Sequence, residues 1–380
     1  MRTQPKALFV RAAEPSGVAP TVLSTRYERK MASNILRVVM EHQRLAADAS
    51  CISHPCDSCM EVHRGRVMRF VARGVPVEFV LPAFPAKSPN NSKVLGPTPD
   101  MAERLSLEFL CAICDRVRQI YRHGARIIVC SDGRVFSDLV EVGDSNVTRY
   151  QAELRAMIDA IGPDSLDLFN LDDEYAGYTH TTMRRVLMAR YCTTKILKCS
   201  SSRVRAGGEE LTLYRGITRF LVEDADTPDY QGSRAALQRE CRERAYGVIQ
   251  RSKAWGALVA ERFPDAVRLS IHPQPCGSAK LGINLVETPD NWLTPWHSTA
   301  VDVGGKFVLM KRYQAEAMGA EPVYVDGRPS HYIARDSNTR LVRLRPSTAS
   351  QSRNLRALTR SGASRACLTI SMWKSCHHTA

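Results

Sequence analysis

Apolar side chains along this chain recur at two spacings, and the alternation between them sets the expected fold. Ile35, Leu36, Val39 and Met40 fall at helical spacing within residues 31–47, and Val62, Val67, Met68, Phe70 and Val71 repeat it before Gly74. Residues 77–81 then read as a buried strand that stops at Pro82. Asp100 can accept from the first free amides of a helix while Glu103 bonds back to its N–H, and Leu105, Phe109, Leu110, Ile113, Val117 and Ile120 carry that helix forward. Past Gly124, residues 126–130 are short and β-branched enough for a second buried strand. A helix over 147–161 with Tyr150, Leu154, Met157 and Ile158 inward, a strand over 166–169, and helices over 183–196 and about 234–263 follow. Residues 267–271, 281–286 and 307–310 are the later strands, and nothing repeats at a solenoid period.

Strands alternating with helices predict an α/β fold: a Rossmann-like, mostly parallel sheet with helices on both faces, plus additional helical and β elements. Folding is expected to begin near residue 31, giving a flexible stretch over 1–30, an α/β domain over 31–335 and a basic disordered tail over 339–380. In such sheets ligands sit beyond the carboxyl ends of the strands, where loops from several strands converge. Lys87, Asp132, Asp172, Asp173 and His272 all fall just past predicted strands.

A chain of 380 residues that is 44% hydrophobic can bury an ordinary core. It carries no apolar run near the roughly 20 residues of a membrane helix and no signal-peptide core, so a cytoplasmic protein with no membrane partner is expected. The formal charge of +14 raises nucleic acid as a partner. Eight of those positive charges, from Arg340 to Lys374, lie in the acid-free tail, and the body lacks aromatic–basic interleaving, which argues against that partner. The 12 cysteines are scattered, and several fall on apolar faces as small hydrophobes.

The loop over 81–99 holds Pro82, Pro85, Pro89, Pro97 and Pro99 yet carries Lys87, Ser88, Asn90, Asn91 and Lys93. It reads either as an anion-capturing loop beside a helix N-terminus or as a surface crossover; spacing does not choose. SDGRVFSDL sets Asp132 and Arg134 in a glycine turn after a buried strand, with Asp138 close by: either a capping pair or a general base tuned by its surroundings, the second favoured by its position. LDDEY reads as a solvated acidic turn and helix cap, and Arg184, Arg185 and Arg190 as a solvated face. His272 and Lys280 share RLSIHPQPCGSAKLGINL, while Trp292, Trp296 and His297 share NWLTPWH, whose tryptophans suit either core packing or a wall for an aromatic ligand. Cys51, His54, Cys56, Cys59 and His63 could form a zinc cluster, but a structural zinc draws ligands from two separated knuckles and one is visible, so no metal is assigned.

The segments VLPAFPAKSPNNSKVLGPTPDMAERLSLEFL and ARIIVCSDGRVFSDLVEV, with RLSIHPQP, K-x-GI-x-L and WLTPWH, resemble the pyoverdine/dityrosine biosynthesis family over about 56–308. Characterised members of that family include isonitrile synthases of secondary metabolism. The resemblance implies that an L-amino acid, tyrosine or tryptophan, is joined to ribulose 5-phosphate, whose C2 becomes the isonitrile carbon. It implies no redox cofactor, and a downstream tailoring enzyme of the same pathway. Set against that chemistry, Asp132, His272 and Lys87 are the candidate catalytic residues. Lys87 and Lys280 with Arg134 would hold phosphate or carboxylate, and Ser88, Trp296 and His297 would complete the binding site. Some members carry a fused iron-dependent dioxygenase, for which this chain is too short. The alternatives are another sugar-phosphate lyase or aldolase on the same fold, and a nucleic-acid binder acting through the tail.

Overall fold

The computed structural model describes residues 22–46, 50, 51, 55–192, 204, 208–287 and 293–334. Residues 1–21, the tail, His54 and Trp292 therefore lie outside the described residues. Helix α1 (Val22–Met40) packs on α2 (Asp57–Arg73). It starts well before Met31, because the largely exposed run TRYERK holds good helix formers, Arg26, Glu28, Arg29 and Lys30, that show no apolar stripe. Helix α2 ends as its glycine signals: Gly74 takes the left-handed conformation, φ 64°, and its N–H reaches the Val71 carbonyl.

Strand β1 (Val77–Pro82) leads through the proline loop to α3 (Met101–Ile120), whose N-terminus is the expected Asp100–Glu103 capping box. Strand β2 (Ala125–Ser131), a single turn α4 (Gly133–Phe136) and helix α5 (Asp144–Ile161) come next. Then follow β3 (Leu166–Asn170), α6 (Leu171–Glu174) and α7 (His180–Tyr191). Helices α8 (Gly208–Ala225) and α9 (Arg234–Arg262) precede β4 (Val267–Ser270) and β5 (Leu281–Gly282).

These five strands form one sheet in the order β3-β2-β1-β4-β5, every neighbouring pair parallel. Alternate residues feed two cores, as a sheet covered on both faces requires. Phe79, Leu81, Ile127 and Val129 meet α1, α2, α3 and α5 on one face. Val80, Ile128, Cys130 and Phe169 meet α7 and α9 on the other, where the Phe169 and Trp255 rings stack at 5.7 Å. A second sheet holds β6 (Thr299–Val303), β7 (Lys306–Met310), β8 (Glu321–Val325) and β9 (Arg328–Ala334), in the order β7-β6-β9-β8. Helix α10 (Arg312–Ala317) lies between β7 and β8 in the chain.

From β1 the chain adds β2 and β3 on one side, then crosses to place β4 and β5 on the other. The loops after β1 and β4 therefore part company at the carboxyl edge, which opens a crevice there. No described helix is long and apolar enough to cross a membrane.

Candidate active site

A cavity of about 460 Å³ opens at that crevice, and Lys87, Ser88, Asp132, His272, Trp296 and His297 all line it. A recess of about 130 Å³ adjoins it, sharing Asp132, Phe136 and His272 and adding Arg268 and Lys280. Four separate stretches of chain thus bring their polar groups to one place.

Asp132 sits between β2 and α4, fixed by close backbone packing. A Cβ on the next residue, Gly133, would stand 1.7 Å from the Pro85 carbonyl oxygen, so the turn after β2 lies directly against the loop after β1. Ser131 donates to the Phe84 carbonyl at 2.8 Å and ties the same two segments. Among the described residues no cation pairs with the Asp132 carboxylate. Burial pushes its carboxyl up to about 7, opposed only by its own backbone amide.

His272 follows β4, and burial, then the nearby Arg44 and Lys280 charges, hold it down at about 4. It is a neutral imidazole at pH 7, able to donate from one nitrogen and accept at the other. Lys280 ends the same loop; burial and the Arg268 guanidinium bring its ammonium down to about 7. Two cationic side chains facing one small recess make a setting for an anion.

Two of the expected residues have their charge satisfied inside the scaffold. The Lys87 ammonium lies 2.8 Å from both Asp100 and Glu103 and 3.1 Å from the Pro295 carbonyl, with no exposed side-chain surface. Burial opposes its charge, but the two carboxylates more than offset this and raise its pKa. Arg134 is equally buried: Nη1 donates to Asp144 at 2.9 Å, Nε to Asp172 at 3.2 Å and Nη2 to Thr148 at 2.6 Å, and it lines neither cavity. Arg184, read from sequence as part of a solvated face, is buried and pairs with the same Asp144 at 2.9 Å. LDDEY is a helix cap, with Asn170 accepting from the Asp172 and Asp173 amides.

Asp224 and Arg268 are the residues sequence reasoning missed. Asp224, near the end of α8, accepts from Ser88 at 2.8 Å and Lys93 at 2.6 Å and faces His297 at 3.4 Å. Burial acts to raise its pKa, but His297 and Lys93 outweigh this and hold it at about 2. One signal was available: Glu223 and Asp224 stand in the last turn of a helix, where the dipole disfavours acids unless cations meet them. Much of the remaining wall is apolar, with Phe136, Leu213, Ile217, Phe220 and Val248 lining it together with Trp296, while Glu223, Ser252, Thr294 and Lys311 add polar groups.

Residues 67–323 match the family described as pyoverdine/dityrosine biosynthesis protein. The chain belongs to that family. It is 52% identical over 296 residues to an L-tyrosine isonitrile synthase of Pseudomonas aeruginosa, covering 77% of this chain and 88% of that protein. An L-tryptophan isonitrile synthase of Fischerella ambigua is 44% identical over 312 residues, covering 82% and 94%. The crystal structure of the PvcA protein from Pseudomonas aeruginosa superposes with a TM-score of 0.75 at 49% identity, covering 80% of this chain and all of that one. By these matches the chain is an isonitrile-synthase-type enzyme of the pyoverdine/dityrosine family, converting an amino acid to an isonitrile.

Proposed function

We propose that the enzyme converts the amine of an aromatic L-amino acid, tyrosine or tryptophan, to an isonitrile, with ribulose 5-phosphate supplying the carbon from its C2. The observation that carries this reading is Asp132, a carboxylate with no cation partner among the described residues, held at about 7 in a cavity that also presents neutral His272 and an aromatic wall. Condensing an amine with a ketone expels water, and needs a base for the ammonium proton and an acid for the carbonyl oxygen. Groups titrating near the working pH do this best. Asp132 takes the first role and His272 relays the second proton. The recess beside Arg268 and Lys280 suits the phosphate, and the apolar wall under α8 suits the aromatic side chain. Ser88 and His297 orient the bound amino acid from the Asp224 cluster. Lys87 and Arg134 act as positioning residues, because their charges are already met inside the scaffold. The reading requires no redox cofactor. None of the nine described cysteines is paired in a disulfide, as suits a cytoplasmic enzyme, and a tailoring enzyme would consume the reactive product.

The test is incubation of the full-length enzyme with tyrosine or tryptophan and ribulose 5-phosphate labelled with carbon-13 at C2. Mass spectrometry should find an isonitrile carrying the label. An unlabelled isonitrile refutes the donor, and no isonitrile from either amino acid refutes the substrate class.

A further inference from the structure

The sequence shows one cysteine knuckle; the fold brings the missing ligand to it. Cys51, Cys56, Cys59 and Cys276 place their four sulfurs within 4.8 Å of one another. Cys56 and Cys59 are the C-x-x-C pair at the start of α2, Cys51 precedes them, and Cys276 comes from the loop between β4 and β5. His63, the nearest imidazole in sequence, is buried on α2 and is not part of the group.

We infer that these four cysteines form a structural zinc site, with Zn²⁺ bound by four thiolates. The separations fit the ion. Tetrahedral coordination at a Zn–S bond of about 2.3 Å sets sulfurs roughly 3.8 Å apart. Sγ of Cys51 lies 3.6 Å from that of Cys59, and Sγ of Cys276 lies 3.6 Å from those of both Cys56 and Cys59. Those spacings are far beyond the roughly 2.05 Å of a disulfide. The Gly277 amide donates to Cys59 Sγ at 3.3 Å, a hydrogen bond of the kind that stabilises a ligating thiolate. Gly277 has φ 70°, which turns the chain so that this amide faces back towards the sulfur.

The location explains what the ion would do. Segment 42–46 pairs with the chain on either side of Cys276: Arg44 and Ala46 donate to the Gly282 and Gln274 carbonyls, each at 2.9 Å. The loop between β4 and β5 also carries His272 at its start and Lys280 near its end. A zinc joining Cys276 to the knuckle of α2 clamps that loop to the helical layer and so fixes two residues of the active-site cavity.

The experiment is metal analysis of the full-length protein, purified without chelator from zinc-supplemented cells. About one zinc per chain should remain after desalting. Cys276→Ser should lose it, and Cys111→Ser, a thiol on α3 outside the group, should keep it. Cobalt in place of zinc should give intense visible ligand-field bands and near-ultraviolet thiolate charge transfer. Stripping the zinc should speed hydrogen exchange in residues 270–282. Less than a tenth of an equivalent in the wild type, iron in place of zinc, or the four sulfurs recovered as disulfides under non-reducing mass spectrometry would each overturn the assignment. The wild-type analysis decides even if Cys276→Ser fails to fold, and it is independent of which substrates the enzyme takes.

Discussion

Asp132 is the residue on which the proposed chemistry turns, and two consequences follow from its environment. As a base it must be ionised, so kcat/KM should rise with pH to a plateau above about 7, the value to which burial lifts its carboxyl. Asp132→Asn keeps the shape but cannot accept the proton, and should lower kcat by about 10²- to 10⁴-fold, read by product formation, with an unchanged circular dichroism spectrum. Its effect on stability has the opposite sign. A carboxyl whose pKa is higher folded than unfolded binds more protons in the native state, so its contribution falls as pH rises from the unfolded value to about 7. Thermal unfolding should therefore show Asp132→Asn gaining stability over the wild type at pH 8 relative to pH 5. No relative gain would remove the argument that burial, with no compensating partner, sets this group. A buried group kept for function at the expense of stability is the trade expected at an active site.

Elements place that residue, and their contacts were only partly legible in the sequence. Gly133 is needed because the turn after β2 touches the backbone of the loop after β1; the Cβ of Gly133→Ala would meet the Pro85 carbonyl carbon at 2.6 Å and its oxygen closer still. Forcing the loops apart should destabilise by about 1–3 kcal/mol and lower kcat through Asp132, checked by denaturant unfolding and turnover together. Lys87→Met would leave Asp100 and Glu103 buried without their cation, at about 3–5 kcal/mol in denaturant unfolding at neutral pH. The loss should shrink at acid pH as Asp100, whose carboxyl burial pushes up to about 7, protonates. The Asp100–Glu103 box was readable as a helix start, because local spacing defines it, but its second task of receiving Lys87 depends on a crossover that sequence does not show. Strands β1 to β4 were readable because they are short apolar runs closed by proline, glycine or acids. Strands β6, β8 and β9 were not: β8 is largely exposed, and β9 buries little besides Tyr332, so neither carries a clear alternation. Helix α8 was not predicted, and with it went Asp224 and the apolar roof of the cavity.

Across the whole molecule, the site belongs to no single segment. Loops after β1, β2 and β4, the turn Pro295–His297 and helix α8 meet only when the parallel sheet has formed, which is why the strand-end positions of Lys87, Asp132 and His272 pointed to one place before their contacts were known. A ligand that bridges these segments should stabilise the fold as a unit. Binding to the native state alone adds RT ln(1 + [L]/Kd), about 2.7 kcal/mol at one hundred times Kd. Tyrosine or tryptophan at saturating concentration should accordingly raise the melting temperature, and the rise should disappear in Trp296→Ala. Trp296 is the right probe because it both lines the cavity and ties its scaffold together. Its ring packs on Phe84 at 5.3 Å, and its carbonyl accepts from the Ser88 amide at 2.8 Å, so it joins the second sheet's entry turn to the loop after β1. Removing the ring should lower the starting melting temperature as well, through the cavity it leaves. The decisive quantity is thus the ligand-induced increment within each protein. An increment equal in both would place the aromatic side chain of the substrate elsewhere than against this wall.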